Sequence, residues 1–177
     1  YISHVCGMGG KFMHLEIREA RASDADAIGY VHYHSWMETY SGLVSDAFLQ
    51  GRSLEKSRSI FRNLGCRDMF VAFVDGDIAG FCGYGKARGG DAPYTWGEIQ
   101  GIYVLKKYQR MSIGKQLLEK SLCMLSHQGY EGALLWVLKN NSKAISFYEK
   151  NRFHFDGTER TEILATPVVE KRYVRIL

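Results

Sequence analysis

The sequence predicts an α/β domain in three layers, a mixed β-sheet flanked by helices. Three observations predict it. Short apolar runs of strand character alternate with longer segments whose apolar residues recur at helical spacing. Residues 132–138 (GALLWVL) form a continuous apolar run, the pattern of a strand covered on both faces. Asp75-Gly76, set between two β-rich runs, is a two-residue hairpin signal. The 177 residues are 46% hydrophobic and 24% charged. At this size about 70% of the unfolded chain's surface can be buried, enough for a core without disulfide staples.

The elements follow in order. Residues 15–20 (LEIREA) alternate as a short strand, and Ser23-Asp24 offers an N-cap for a helix through about His34. Asp46 caps a second helix with Phe48, Leu49, Leu54, Ile60 and Phe61 as its apolar positions. Residues 69–74 (MFVAFV) are a buried strand, and the Asp75-Gly76 turn leads into a Gly-rich strand over 78–87. A polar loop over 88–93 precedes a strand over 96–105. Ser112–His127 reads as an amphipathic helix, with Ile113, Leu117, Met124 and Leu125 near one face and Gly129 as its C-cap. Strand 132–138, a short helix over 141–150 and two strands over 153–163 and 168–176 complete a single domain of residues 13–177.

Residues 1–12 have no Lys- or Arg-led apolar segment and do not read as a signal peptide. They are expected to be a vector-derived remnant or an N-terminal extension ahead of Met13, and they are left out of the fold prediction. No apolar run approaches the ~20 residues of a membrane span, so no membrane partner is expected. The net charge is +4, with acidic and basic residues interspersed. That pattern argues against a nucleic-acid-binding arm. The cysteines, Cys6, Cys66, Cys82 and Cys123, form no CxxC pair and have no zinc-spaced histidines. They read as reduced thiols of a cytoplasmic protein. His32 and His34 point to different faces of a helix, so no metal is expected.

Residues 98–118 (EIQGIYVLKKYQRMSIGKQLL) carry the first chemical signal. A β-rich run stops at Val104-Leu105, a basic loop follows, and a helix begins near Ser112. A helix start leaves backbone N–H groups unpaired, and with the helix dipole these form an anion site suited to a pyrophosphate. Lys106, Lys107, Arg110 and Lys115 add charge around it, and small residues at 112 and 114 permit close backbone approach. Neither GxGxxG nor GxxxxGK[ST] is present, so nicotinamide and P-loop readings find no support.

Gln109-Arg110-Met111-Ser112-Ile113-Gly114 resembles the Q/R-x-x-G-x-G/A acyl-CoA-binding motif of the GNAT superfamily of N-acetyltransferases. Ser112 stands where that motif has its first Gly. Asn141-Ser142-Lys143-Ala144-Ile145-Ser146-Phe147-Tyr148 resembles the family's N-x-x-A-x-x-F-Y segment. The element order matches over roughly residues 15–177. Arg152 replaces the Gly that usually precedes Phe153, and Asn151 is expected to take the left-handed conformation there.

The resemblance implies the GNAT (acyl-CoA N-acyltransferase) fold and acetyl-CoA as co-substrate. It implies that strands 96–105 and 132–138 splay apart around the pantetheine arm, which pairs with the backbone of Ile102 and Val104. The amides of Arg110, Met111, Ser112, Ile113, Gly114 and Lys115, with Gln109, hold the pyrophosphate, and Asn141 and Ala144 line the far side. The acetyl group passes to a primary amine of a small molecule or protein by direct attack in a ternary complex. Tyr148 is the candidate general acid, protonated at pH 7 with an ordinary pKa near 10. Glu98, eleven residues before Gln109, is the candidate base, sharing a face with Gln100, Ile102 and Val104 in a regular strand. An ordered water chain is the alternative.

His34–Gly42 resembles the S-W-x-x-T-Y-x-G stretch of some bacterial members. Trp36 and Tyr40 at i, i+4 form either one wall of the amine site or a staple between helices, and Glu38 attracts the amine's charge. A polyamine-like or amino-sugar acceptor would suit such a pocket. A homodimer is a family-level expectation, with the final strand as its pairing edge. The reading from another class is a non-catalytic acyl-CoA-binding sensor of the same fold.

Overall fold

The structure is a computed structural model describing residues 2–6, 12–90 and 92–177, with side chains described from Met13 onward. Among these residues eight strands form one sheet: β1 (Ile2–Cys6), β2 (Phe12–Glu19), β3 (Met69–Val74), β4 (Asp77–Lys86), β5 (Trp96–Val104), β6 (Gly132–Leu138), β7 (His154–Leu164) and β8 (Thr166–Ile176). Their order is β1-β2-β3-β4-β5-β6-β8-β7. Every neighbouring pair is antiparallel except β5–β6, which is parallel and joined by a crossover through a helix. The helices are α1 (Ala25–Thr39), α2 (Asp46–Gln50), α3 (Leu54–Leu64), α4 (Ile113–His127) and α5 (Ser142–Lys150). No helix among the described residues is long and apolar enough to cross a membrane.

The sheet separates two cores. On one face Leu117, Leu118, Leu122 and Leu125 of α4 pack on Ile17, Phe70, Ile99, Leu135 and Val137, with Tyr148 and Phe153 from the α5 region. On the other, Ile28 and Val31 of α1 and Phe61 of α3 pack on Val71, Phe81 and Leu105. A third cluster, Val44, Leu49 and Leu138, ties α2 to the far end of β6. The β3–β4 turn has the expected left-handed pair, Asp75 at φ 51° and Gly76 at φ 88°.

Several expectations change. Residues 2–6, left out of the fold prediction, pair antiparallel with β2. Helix α1 runs to Thr39 rather than His34, which places Trp36 and Glu38 on its last turns and Tyr40 at its C-cap. The single second helix is two helices. Ser45 caps α2 through the Phe48 amide, and Ser53 restarts α3 through the Lys56 amide. Arg152 itself, not Asn151, adopts the left-handed conformation, with φ 66°. The last strand, β8, lies between β6 and β7, so its edges are already paired and β7 is the free edge on that side.

Candidate active site

Strands β5 and β6 pair only at Trp96–Gly132, Gly97–Ala133 and Glu98–Leu134. Beyond Glu98, β5 keeps β4 on one side while β6 keeps β8 on its own, so the two strands part and each turns a backbone edge to the opening. A bulge accompanies the parting: Gly83 pairs with Gly101 and Tyr84 with Ile99, which leaves Gln100 as an extra residue on β5. The bulge also overturns the face predicted for Glu98. Ile99, Ile102 and Val104 all pack with the α4 core, while Tyr103 packs with the α1 core. Glu98, alternating with Ile99, therefore shares the α1 side with Tyr103 and not the side of Ile102 and Val104.

The opening leads from Val104 to the start of α4. Gln109 Nε2 donates to the Val104 carbonyl at 3.1 Å and fixes the turn. Arg110 and Ser112 both have left-handed φ, 62° and 61°. Ser112 thus adopts the conformation for which the motif keeps a Gly, and α4 starts without a side-chain cap. The first backbone bond into the helix is from the Gln116 amide to the Ser112 carbonyl. The amides of Met111, Ser112, Ile113, Gly114 and Lys115 have no backbone acceptor among the described residues, as a nest for an anion requires. A Cβ on Gly114 would sit 3.7 Å from both Val104 and Phe147, an ordinary contact. The protein leaves room for a methyl group there, beside the free amides.

On the far side, Asn141 caps α5, its Oδ1 accepting from the Ala144 amide at 3.2 Å. Ala144 and Phe147 pack against the α4 core. Tyr148, 9% exposed, stands edge-on to Phe147 and Phe153 with centroids at 5.3 and 6.0 Å. Burial raises its pKa above the ordinary tyrosine value, with smaller contributions from Cys82 and Tyr103.

Glu98 is 2% exposed and its carboxylate is fully engaged. The Arg88 backbone amide donates to Oε2 at 2.7 Å, Nε reaches Oε1 and Oε2 at 3.1 and 3.2 Å, and Nη2 donates to Oε1 at 2.6 Å. Three N–H donors of Arg88, with the Nε–H shared between both oxygens, bind the carboxylate. The buried carboxylate is committed to Arg88, which competes with an amine proton for it.

The acceptor side faces α1. Trp36 and Tyr40 stack at 4.0 Å, and Phe48 packs against Trp36 at 5.6 Å. With Leu43, Leu164 and Val168 these rings join α1 and α2 to the end of β6 and the β7–β8 hairpin. They therefore staple these elements together. Glu38 is turned to another partner, accepting from the Lys106 amide at 3.0 Å at the start of the phosphate loop. Sequence reasoning missed His32. Trp36 Nε1 donates to its Nε2 at 3.0 Å, so its proton is on Nδ1, 3.3 Å from Ser57 Oγ. Burial, and then the Arg52 charge, lower the His32 pKa to about 4. It also missed Arg88, which meets Glu98 ten residues away, and Arg52, which lies over Trp36 and Phe48. No group of three or more His, Cys, Asp or Glu among the described residues is placed to hold a metal.

A parallel pair that parts after three residue pairs and leads to a nest of free amides is the geometry implied by the resemblance above. A profile of the Acetyltransferase (GNAT) family matches residues 33–155. The chain belongs to the GNAT family. This GNAT chain is 30% identical over 136 residues to the uncharacterized N-acetyltransferase YuaI of Bacillus subtilis strain 168, covering 76% of this chain and 78% of that protein. It is 28% identical over 169 residues to the spermidine N(1)-acetyltransferase of Thermoplasma acidophilum, covering 91% and 99%. It shares its fold with the PaiA N-acetyltransferase of T. acidophilum, crystallised with coenzyme A, at a TM-score of 0.71 and 24% identity over 89% of this chain and 97% of that one. The GNAT chain is thus an acetyl-CoA-dependent N-acetyltransferase.

Proposed function

We propose that the chain moves the acetyl group of acetyl-CoA to a primary amine of a small molecule or protein, by direct attack within a ternary complex. The observation that carries this reading is the parting of β5 from β6 directly before the free amides 111–115. The thioester arm lies along the open edge of β5 at Ile102 and Val104, as an added strand. The pyrophosphate lies on the amides of Arg110–Lys115 with Gln109 bracing the turn, and Asn141 and Ala144 border the other side.

An alkyl ammonium must lose a proton before attack, at a cost of about 4–5 kcal/mol at pH 7. Because Arg88 fills the Glu98 carboxylate, we assign that step to ordered water, the second of the two routes, and give Glu98 the task of holding the 88–98 loop. A backbone amide on the open edge of β5 stabilises the tetrahedral oxyanion. Tyr148, protonated at pH 7 as an ordinary phenol is, donates to the departing thiolate. Ser112 in the left-handed conformation keeps the loop shape of the motif, which supports acyl-CoA binding. The free thiols Cys66, Cys82 and Cys123 support a cytoplasmic setting.

Calorimetric titration with acetyl-CoA, against NAD and ATP, tests the co-substrate, and thiol release with a panel of amines tests the transfer. Binding of acetyl-CoA alone and amine-dependent release are expected. Binding without release from any amine would leave a sensor.

A further inference from the structure

Arg52 lies in the connection between α2 and α3. Its guanidinium carbon sits 4.2 Å over the Trp36 ring and 5.5 Å over Phe48, so it belongs to the aromatic cluster that the resemblance assigns to the acceptor site. Its Nε is buried without a hydrogen-bond partner. Among the described residues the side chain has neither a hydrogen bond nor an ion pair. The groups around it supply no counter-charge: His32 is half-buried and neutral, and Tyr40 and Tyr103 are phenols whose ionisation burial disfavours further.

The acidic groups near this side are already matched. Glu98 pairs with Arg88 at 2.6 Å, Glu170 with Arg160 at 2.7 Å, Glu162 with Arg160 at 3.4 Å, and Asp156 with Arg172 at 2.7 Å. Glu38 faces the Lys106 amide. A polycationic acceptor therefore meets an uncompensated positive charge at Arg52, while Glu98, Glu170, Glu162 and Asp156 are held in ion pairs. A half-buried guanidinium without a partner is costly. With its carbon over the indole and its Nε unpaired, the guanidinium keeps a donor fork for a carboxylate, which it takes through two parallel hydrogen bonds.

We propose that Arg52 determines acceptor specificity by binding a carboxylate, so that the preferred acceptor is a small amine carrying a carboxylate group rather than a polyamine. This rests on the acetyl-transfer reading above. The aromatic wall of Trp36, Tyr40 and Phe48 accommodates the apolar part of such a molecule.

The test uses matched pairs that differ only in the carboxylate: phenylalanine and phenethylamine, β-alanine and propylamine, 6-aminohexanoate and hexylamine, with spermidine as polycation. Each is titrated into the CoA-saturated protein, and thiol release from acetyl-CoA is followed separately. At least one carboxylate member is expected to bind about 10- to 100-fold more tightly than its partner, the range for hydrogen bonds to a charged group. Arg52→Gln is expected to abolish that preference and leave acetyl-CoA affinity unchanged, which also shows the variant is folded. Arg52→Lys is expected to retain part of the preference. No preference in any pair, tightest binding by spermidine, or a preference that survives Arg52→Gln would overturn the inference. A preference in binding with no thiol release would support it and overturn the transfer reading instead.

Discussion

Arg88 closes on Glu98 from two directions, its backbone amide on Oε2 at 2.7 Å and its Nη2 on Oε1 at 2.6 Å. The pair fastens the loop after β4 to the last residue of β5 that is paired with β6. Glu98→Gln is expected to lower kcat/KM less than about 10-fold and to leave the acid limb of its pH profile in place. A general base accounts for about 10²- to 10⁴-fold and owns that limb. Disappearance of the limb would return Glu98 to the role of base.

Tyr148→Phe removes the buried hydroxyl and keeps the ring packing against Phe147 and Phe153. Turnover is expected to fall about 100-fold or more, with acetyl-CoA affinity within about twofold of wild type. Stopped-flow thiol detection beside calorimetry separates the two quantities. Unchanged turnover would remove Tyr148 from the acid role.

Gly114→Ala adds a Cβ that meets Val104 and Phe147 only at 3.7 Å. Thermal stability is expected to hold or rise slightly, since Ala is the better helix residue. Acetyl-CoA affinity is expected to fall about 10-fold or more, and Gly114→Asp to abolish binding by adding negative charge at the nest. Intact affinity in both variants would exclude this helix start as the pyrophosphate site.

His32 is folded into a neutral state with a pKa of about 4, against an ordinary 6.5. Between those values the unfolded chain binds the extra proton and the folded chain does not. Stability is therefore complete above pH 6.5 and is lost as the pH falls toward 4, on the order of 3 kcal/mol in all. Urea unfolding at pH 7, 5.5 and 4.5 is expected to show the decline, and His32→Asn to flatten the part due to this group. A slope identical in the variant would place the titration elsewhere.

Arg152 holds a left-handed backbone at φ 66° just after α5. Left-handed geometry costs a non-glycine residue about 1 kcal/mol. Arg152→Gly is expected to raise the melting temperature by about 2–4 °C, partly offset by the freer unfolded chain. A lower melting temperature would show that the Arg152 side chain contributes more than its backbone costs.

The strands and both site helices were legible because their signals are local. MFVAFV, the Asp75-Gly76 turn and GALLWVL specify β3, its turn and β6 within a few residues. The final turns of α1 were not, because the run His34-Ser35-Trp36-Met37-Glu38-Thr39 has no clear apolar stripe, and its rings are buried only by α2 and the β7–β8 hairpin. The bulge at Gln100 has no sequence mark and depends on β4 register. The motif residues 109–114 and 141–148 were legible as the start of α4 with its free amides and as the capped helix α5. The acceptor side was hidden because Arg52, Arg88 and His32 acquire their roles from contacts across elements.

The place of β8 matters for how the protein is made. β6 receives its outer neighbour only from residues 170–176, synthesised after α5 and β7 are complete. A growing chain on the ribosome therefore carries the finished α4 and the apolar strand β6 with one flank bare, until nearly the whole domain has emerged. Such an unpaired apolar edge is the surface on which nascent chains misassociate and chaperones act. Completion of the β6 flank of the opening is consequently a late event in the synthesis of each molecule, linked to arrival of β8.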